Sequence, residues 1–247
     1  MGFIQSSEKI KAAFISPQKA IQPGQHLCLD HAESRHATQV LRLCAGDGIQ
    51  VINGSGYFYP CRILTCRPTV EYEVLDALPG HDRDLPALHA LVPLIRKRRW
   101  EWLVEKLCEA GITVIHPYLS RRTRPLEWTK HMHARSRRIV LSAVKQSRRT
   151  TIPCLEHPLP LADVLREVGD CPEKWLLRRE APCRAKDLAT QGGDALFLVG
   201  PEGGLTDAEE AHIRDVGFRA ISVAQTILRS ETAALFMTAL MRAHGRR

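Results

Sequence analysis

The chain has 247 residues, 44% of them apolar and 25% charged, with a net charge of +8. This is the composition of an ordinary globular protein of one large or two smaller domains, and no internal repeat or low-complexity segment is present. No apolar run approaches the ~20 residues of a membrane span, no secretory signal is legible in residues 1–11, and eight scattered cysteines without a C-x-x-C pair argue against a disulfide framework or a structural zinc site, so the expectation is a cytoplasmic protein with no metal and no membrane contact.

The first eighty residues read mostly as strand. His26–Leu29 is a short strand candidate. Asp30 followed by Glu33 resembles a capping box and opens a helix through about Leu43, with Ala37, Val40 and Leu41 on one face. Ala45-Gly46-Asp47-Gly48 is a turn. Strand candidates follow at Ile49–Asn53, Tyr57–Cys66 and Val70–Leu75, the first two joined by Gly54-Ser55-Gly56. The pattern is that of a small barrel or sandwich, and Pro79–Pro86, charged and containing a glycine, reads as a linker.

Beyond it strands and helices alternate. Leu88–Leu94 is a buried strand candidate. Arg99–Ala110 is a helix with Trp100, Leu103, Val104 and Leu107 on one stripe and Gly111 as its stop. Thr113–Pro117 is a strand, and Lys130–Gln146 a helix with Ile139, Val140, Ala143 and Val144 inward and Arg135, Arg138 and Lys145 on the other face. Lys174–Leu177, Ala195–Val199 and Ala220–Val223 are strands. Thr206 and Glu209 form a second capping box, for a helix that stops at Gly217, and Glu231–Ala243 is the last helix. Such alternation predicts a mostly parallel sheet. The expected domains are therefore residues 1–80 and 86–247.

Positive charge is concentrated. Arg96 to Arg149 holds fifteen Lys/Arg against four Glu and no Asp, an excess larger than that of the whole chain. A basic block in an otherwise near-neutral protein points to a polyanion. Its candidate nucleic-acid contacts are Arg96, Arg99, Arg121, Arg122, Arg124, Lys145 and Arg149.

Two loops at strand ends carry the chemistry. Leu198-Val199-Gly200-Pro201-Glu202-Gly203-Gly204 is neither a Walker A loop nor a G-x-G-x-x-G turn, but its glycines leave little bulk, so a ligand can approach the backbone. Ligands in open α/β sheets bind beyond the carboxyl ends of strands. Val223-Ala224-Gln225-Thr226-Ile227-Leu228-Arg229-Ser230-Glu231-Thr232-Ala233 places Arg229, Glu231 and Thr232 at the mouth of the last helix, with Ser230 as its N-cap. Read singly, Glu231 is a first-turn acid favoured by the helix dipole and Arg229 a partner for it.

Gly200 through Gly204, together with Ile227 through Ala233, closely resembles the signature of the RsmE family. The likeness extends to His36–Leu43 with Gly46-Asp47, to Lys106 through Glu109-Ala110-Gly111 to Pro117, to Ser120–Thr123, and to Gln146-Ser147 with Arg149 and Pro153. Departures are Lys145 where the family has a glutamate, Ala224 where it has a glycine, and Ala110 within its Glu-Leu-Gly. The resemblance implies an S-adenosylmethionine-dependent enzyme that methylates N3 of a uridine in 16S ribosomal RNA of the small subunit. It implies a C-terminal SPOUT-type α/β domain with a trefoil knot and a mostly parallel sheet, a preceding PUA-like β-barrel domain that binds RNA, and a homodimer. Carried over residue by residue, Leu198, Val199, Gly200, Pro201, Glu202, Gly203, Val223, Ala224, Thr226, Ile227, Leu228, Thr232 and Ala233 hold the cofactor. Arg229 stabilises the uridine anion, and Glu231 accepts the N3 proton or orients Arg229. The competing readings are a non-catalytic ribosomal RNA-binding assembly factor and an enzyme of the same class acting on another RNA position.

Overall fold

The computed structural model describes residues 10–123, 127–169, 171–185, 188 and 192–244. Two compact units emerge, one of residues 1–84 with 144–152, the other of residues 85–143 with 153–247. Residues 144–152 thus belong with the N-terminal segment, although chain order groups them with the C-terminal one.

The first unit contains β1 (Ala13–Ile15), β2 (His26–Cys28), α1 (His31–Arg35), a π-helical turn (His36–Val40), β3 (Gly48–Ile52), β4 (Tyr57–Thr65), β5 (Glu71–Val74) and β6 (Leu78–Pro79). The strands form one sheet in the order β1-β3-β4-β5-β2, with β6 on β4 and only the β1–β3 pair parallel. Period-2 alternation fills its core: Tyr59, Cys61 and Ile63 from β4 and Tyr72 and Val74 from β5 face Phe14, Ile49, Val51 and Val70.

The helix expected to run to Leu43 does not. Asp30 caps α1 by accepting from Glu33 N at 2.8 Å, but the Glu33 carboxylate pairs with Lys145 at 2.7 Å instead of closing a capping box. The winding then widens, with Leu41 N bonded to His36 O, and Arg42 turns into the left-handed region at φ 55°. Ala37 stays in the core, but the extra residue in the turn rotates Val40 and Leu41 outward, to 65% and 40% exposed, and Leu43 is buried in their place.

Pro79–Pro86 is no free linker either. Asp82 within it is buried and accepts from Arg149 Nε at 3.1 Å, Thr150 N at 3.0 Å and Thr151 Oγ1 at 2.6 Å. Burial pushes the Asp82 carboxyl up, but the bonds from Thr150, Thr151 and Arg149 outweigh it and hold the pKa well below the ordinary carboxylate range. This corrects the expectation of an RNA contact at Arg149, which is 4% exposed and committed to Asp82.

The second unit contains β7 (Leu88–Pro93), α2 (Lys97–Glu109), β8 (Val114–Leu119), α3 (Lys130–Ser147, whose residues from 144 on belong to the first unit), β9 (Cys154–Leu155), β10 (Leu159–Pro160), α4 (Leu161–Glu167), β11 (Glu173–Leu177), β12 (Cys183–Arg184), β13 (Ala195–Val199), α5 (Asp207–Asp215), β14 (Arg219–Ser222) and α6 (Ser230–His244). Its sheet runs β10-β8-β7-β13-β11-β14-β12, with β9 on β8, and every pairing is parallel. β13 is buried along its whole length, as a central strand covered on both faces must be. Trp100 on α2 is fully buried and donates from Nε1 to Ser136 Oγ at 3.0 Å. Gly111, at φ 99°, ends α2 where an L side chain would be strained. Thr206 and Glu209 form the full capping box of α5. After β14 the chain doubles back past β11, and α6 packs on α2, β7 and β13. Arg242 secures its far end, donating to Gly111 O, Pro86 O and Thr113 Oγ1 at 2.8–3.0 Å.

Two histidines on neighbouring strands, His89 and His116, stack with Nδ1 and Nε2 3.0 Å apart. Burial, with the neighbouring His89, pushes His116 down from 6.5 to about 4. A lowered imidazole pKa means the unfolded chain binds more protons between those values, so stability is complete above pH 6.5 and falls as the pH drops toward 4. The expected loss between pH 7 and pH 5 is on the order of 2 kcal/mol. Urea titrations at the two pH values check it, and His116→Gln is expected to flatten the dependence. Asp82 does not contribute in this window, because its stabilisation is lost only as the pH falls through the carboxylate range.

Candidate active site

The carboxyl ends of β13, β11 and β14 lie side by side, because β11 pairs with both of the others. The loops leaving them enclose a cavity of about 690 Å³, within the range of small-molecule sites. From the first loop it is lined by Val199, Gly200, Pro201 and Glu202, and from the second by Val223, Ala224, Thr226, Ile227, Leu228 and Arg229, with Ala233 on α6. Three expected cofactor residues stand apart from the lining. Leu198 is fully buried inside β13, Thr232 is half-buried in the first turn of α6, and Gly203 faces away. A Cβ on Gly203 would lie 3.2 Å from Arg122 Cβ and 3.3 Å from Arg122 O, so this glycine admits the neighbouring turn, not a ligand. Gly204 has φ 72° and needs its glycine for that reason. Ala224 is not among the residues with positive φ, so alanine is accommodated there without strain.

Leu176, Leu177, Arg178, Arg179 and Glu180 form a third wall that the motifs do not announce. The rule that ligands sit beyond strand ends points to them once β11 is known to lie between the two motif strands.

Ser230 joins the two motif loops. It does not cap its helix; its Oγ donates to Gly200 O at 2.8 Å, while Arg229 O accepts the first helical bond from Ala233 N. Glu231 is 6% exposed, and its two oxygens accept from Arg99 Nε at 2.7 Å and Nη2 at 2.8 Å. Its partner is therefore Arg99, not Arg229. The remaining Nη1 of Arg99 bonds Glu202, so one guanidinium pins the glycine loop to the last helix. The bond from Arg99, helped by the nearby charges of Arg96 and Arg229, holds the Glu202 carboxyl below its ordinary range. Arg229 itself is exposed at the cavity mouth.

The other basic residues divide. Arg96 and Arg121 are exposed. Arg122 is exposed but bonds two carbonyls of the glycine loop. In the first unit, Lys145 pairs with Glu33, which accounts for the reversed charge there. Arg124 lies outside the described residues. A concavity of about 510 Å³ between α2 and α3 is lined by Lys97, Arg98, His131, Arg135 and Arg138 with the single acid Glu101. Among the described residues no cluster of three or more His, Cys, Asp or Glu is placed to hold a metal ion, and no helix is long and apolar enough to cross a membrane.

An RNA methyltransferase domain model matches residues 83–242, and an RNA methyltransferase PUA domain model matches residues 29–65. The chain is 30% identical over 219 residues to ribosomal RNA small subunit methyltransferase E of Mycobacterium bovis, covering 83% of this chain and 82% of the relative. The crystal structure of the Neisseria gonorrhoeae protein of the same name, bound to S-adenosyl methionine, superposes with a TM-score of 0.81 at 28% identity, over 94% of this chain and 97% of that one. A Legionella pneumophila protein solved in complex with the bound cofactor SAM gives 0.83 at 26% identity, over 94% and 98%. The fold class is the one expected: a PUA-like β unit and a parallel-sheet α/β unit of the SPOUT type.

Proposed function

The chain belongs to the ribosomal RNA small subunit methyltransferase E family, and on that basis we propose that it transfers a methyl group from S-adenosylmethionine to N3 of a uridine in small-subunit ribosomal RNA. The observation that carries the reading is the cavity closed by the glycine loop and the 223–229 loop, with Arg229 at its mouth. Ten of the thirteen expected cofactor residues line it, and its walls combine glycine, alanine and aliphatic side chains with the charged Arg178, Arg179, Glu180, Glu202, Glu210 and Arg229, a mixture suited to an adenosyl group and a charged methionine chain.

S-adenosylmethionine supplies an electrophilic methyl on a sulfonium sulfur. The protein's share is positioning and charge. Methylation at N3 would require its proton to leave to solvent or a base, which places negative charge on N3 and the flanking uracil oxygens until the methyl is taken up. Arg229 is the cation assigned to that charge. Both Glu231 oxygens are taken by Arg99, so its part in this reading is to hold Arg99, and through it Glu202, in place; the proton acceptor is left to solvent or another group. N3 lies on the pairing edge of the base, so the target uridine is unpaired or flipped out. Arg96, Arg121 and the concavity between α2 and α3 offer cations to the RNA backbone.

The experiment in cells is nucleoside mass analysis of small-subunit ribosomal RNA. Deleting the gene is expected to remove 3-methyluridine and restoring it to return the modification. Loss of a different methylated nucleoside assigns another position, and no change supports a non-catalytic assembly factor.

The same reading includes a homodimer. α2 and α6 pack together yet leave Trp102 and Phe236 39% and 47% exposed, large apolar groups of the kind a second copy covers. Sedimentation is expected to give a dimer at micromolar protein, and a monomer with full activity contradicts it.

A further inference from the structure

The turn after β8 backs the glycine loop on the side away from the cavity. Arg122 Nη1 donates to Gly203 O at 3.3 Å and to Leu205 O at 3.2 Å. Arg121 N donates to Glu209 Oε1 at 2.9 Å, and the same carboxylate closes the cap at Thr206 through its other oxygen. Tyr118, just before the turn, is fully buried and donates from its hydroxyl to Val199 O at 2.6 Å. The turn is itself closed by Ser120 and Thr123, whose hydroxyls lie 2.8 Å apart. Successive points along 199–209 are thus held from one side, while Val199 to Glu202 present their other side to the cavity.

We propose that Arg122 is a positioning residue of the cofactor loop and not an RNA contact. The proposal rests on the reading of the cavity as the S-adenosylmethionine site. A guanidinium that bridges two carbonyls of a glycine-rich loop limits the backbone freedom that the glycines would otherwise give it. Its neighbour Arg121 is engaged through its backbone and leaves its side chain exposed, so of this pair it is Arg121 that faces the RNA. Sequence alone groups the two arginines as one basic cluster; the hydrogen bonds separate them.

The test uses the full chain and three measurements on Arg122→Ala, Arg122→Lys and Arg121→Ala. Arg122→Ala is expected to speed amide hydrogen exchange in peptides covering 199–206 and to weaken S-adenosylmethionine binding about tenfold or more, the scale of losing hydrogen bonds from a charged donor. Arg122→Lys keeps a cationic donor and recovers part of both effects. In the absence of cofactor, Arg122→Ala keeps the wild-type salt dependence of binding to a small-subunit ribosomal RNA fragment. Arg121→Ala reduces that slope by about 0.7, the value for one phosphate contact on a single strand, and leaves cofactor affinity unchanged. Unaltered exchange and cofactor affinity with a reduced salt slope in Arg122→Ala overturns the proposal and makes Arg122 an RNA contact. Hydrogen exchange is measured on the protein without cofactor. Wild-type protein that binds no S-adenosylmethionine therefore refutes the functional reading, while exchange at 199–206 still decides whether Arg122 braces the loop. Should Arg122→Ala fail to fold, Arg122→Gln carries the same three measurements, and wild-type exchange and cofactor affinity with a reduced salt slope in it overturn the proposal.

Discussion

Arg229→Ala is expected to slow methyl transfer in a single turnover by about a hundredfold while cofactor and RNA affinities change far less. Arg229 lines the mouth of the cavity and is exposed, so removing it leaves no buried partner stranded and the fold should survive. Its charge matters where negative charge develops on the uracil ring, which happens only as the N3 proton leaves. An interaction gained only in the transition state lowers the rate and not ground-state affinity when it is removed. Loss of one preorganised electrostatic donor costs about 3 kcal/mol, or about a hundredfold. Arg229→Lys should recover part of the rate, because a flexible ammonium keeps the charge without the planar fork. Quenched-flow transfer with cofactor and RNA both saturating measures the step. An unchanged rate makes Arg229 a bystander, and a loss confined to cofactor affinity makes it a support for the loop.

The second large effect falls on stability. Arg99→Ala leaves the Glu231 carboxylate, 6% exposed and bonded by both oxygens to that guanidinium, without its counter-charge. Removing one partner of a buried pair typically costs 3–5 kcal/mol, roughly. Glu202, more exposed, loses the same partner at a smaller cost. The double replacement Arg99→Met with Glu231→Leu is expected to recover much of the stability, because no charge is then left buried. It should not recover cofactor affinity, since Glu202 of the glycine loop loses its tie to α6 through Arg99 and only the Ser230–Gly200 bond remains. Urea titration and calorimetric titration with S-adenosylmethionine separate the two effects. Wild-type stability in Arg99→Ala contradicts the pairing.

The longer strands and most helices were legible because their burial has a period, whereas β1, β6, β9, β10 and β12, of two or three residues each, and α4 were not. Tyr59, Cys61 and Ile63 alternate, and Trp100, Leu103, Val104 and Leu107 return every three or four residues. The misreadings have two causes, contacts that close over long stretches of chain and a local rewinding of one helix. The π turn at His36–Val40 adds a residue to a helical repeat, and no composition signals it. Asp82 reads as a linker acid until Arg149, Thr150 and Thr151 fold back on it. Arg99 and Arg122 read as members of a charge run, yet their partners are Glu231, Glu202, Gly203 and Leu205, a hundred residues away in order of magnitude. The two motif loops were visible because glycine, proline and the Arg-Ser-Glu-Thr run are local. The wall at 176–180 was not, since only the strand order places β11 between them.

The most direct measurement uses purified protein, S-adenosylmethionine with a labelled methyl, and small ribosomal subunits from cells lacking the gene. The account predicts transfer of about one methyl per subunit, recovered after digestion as 3-methyluridine. A new stop in reverse transcription should mark the site, because the methyl occupies the pairing edge of the base. Cofactor binding without transfer, or label recovered on any atom other than uridine N3, would contradict it.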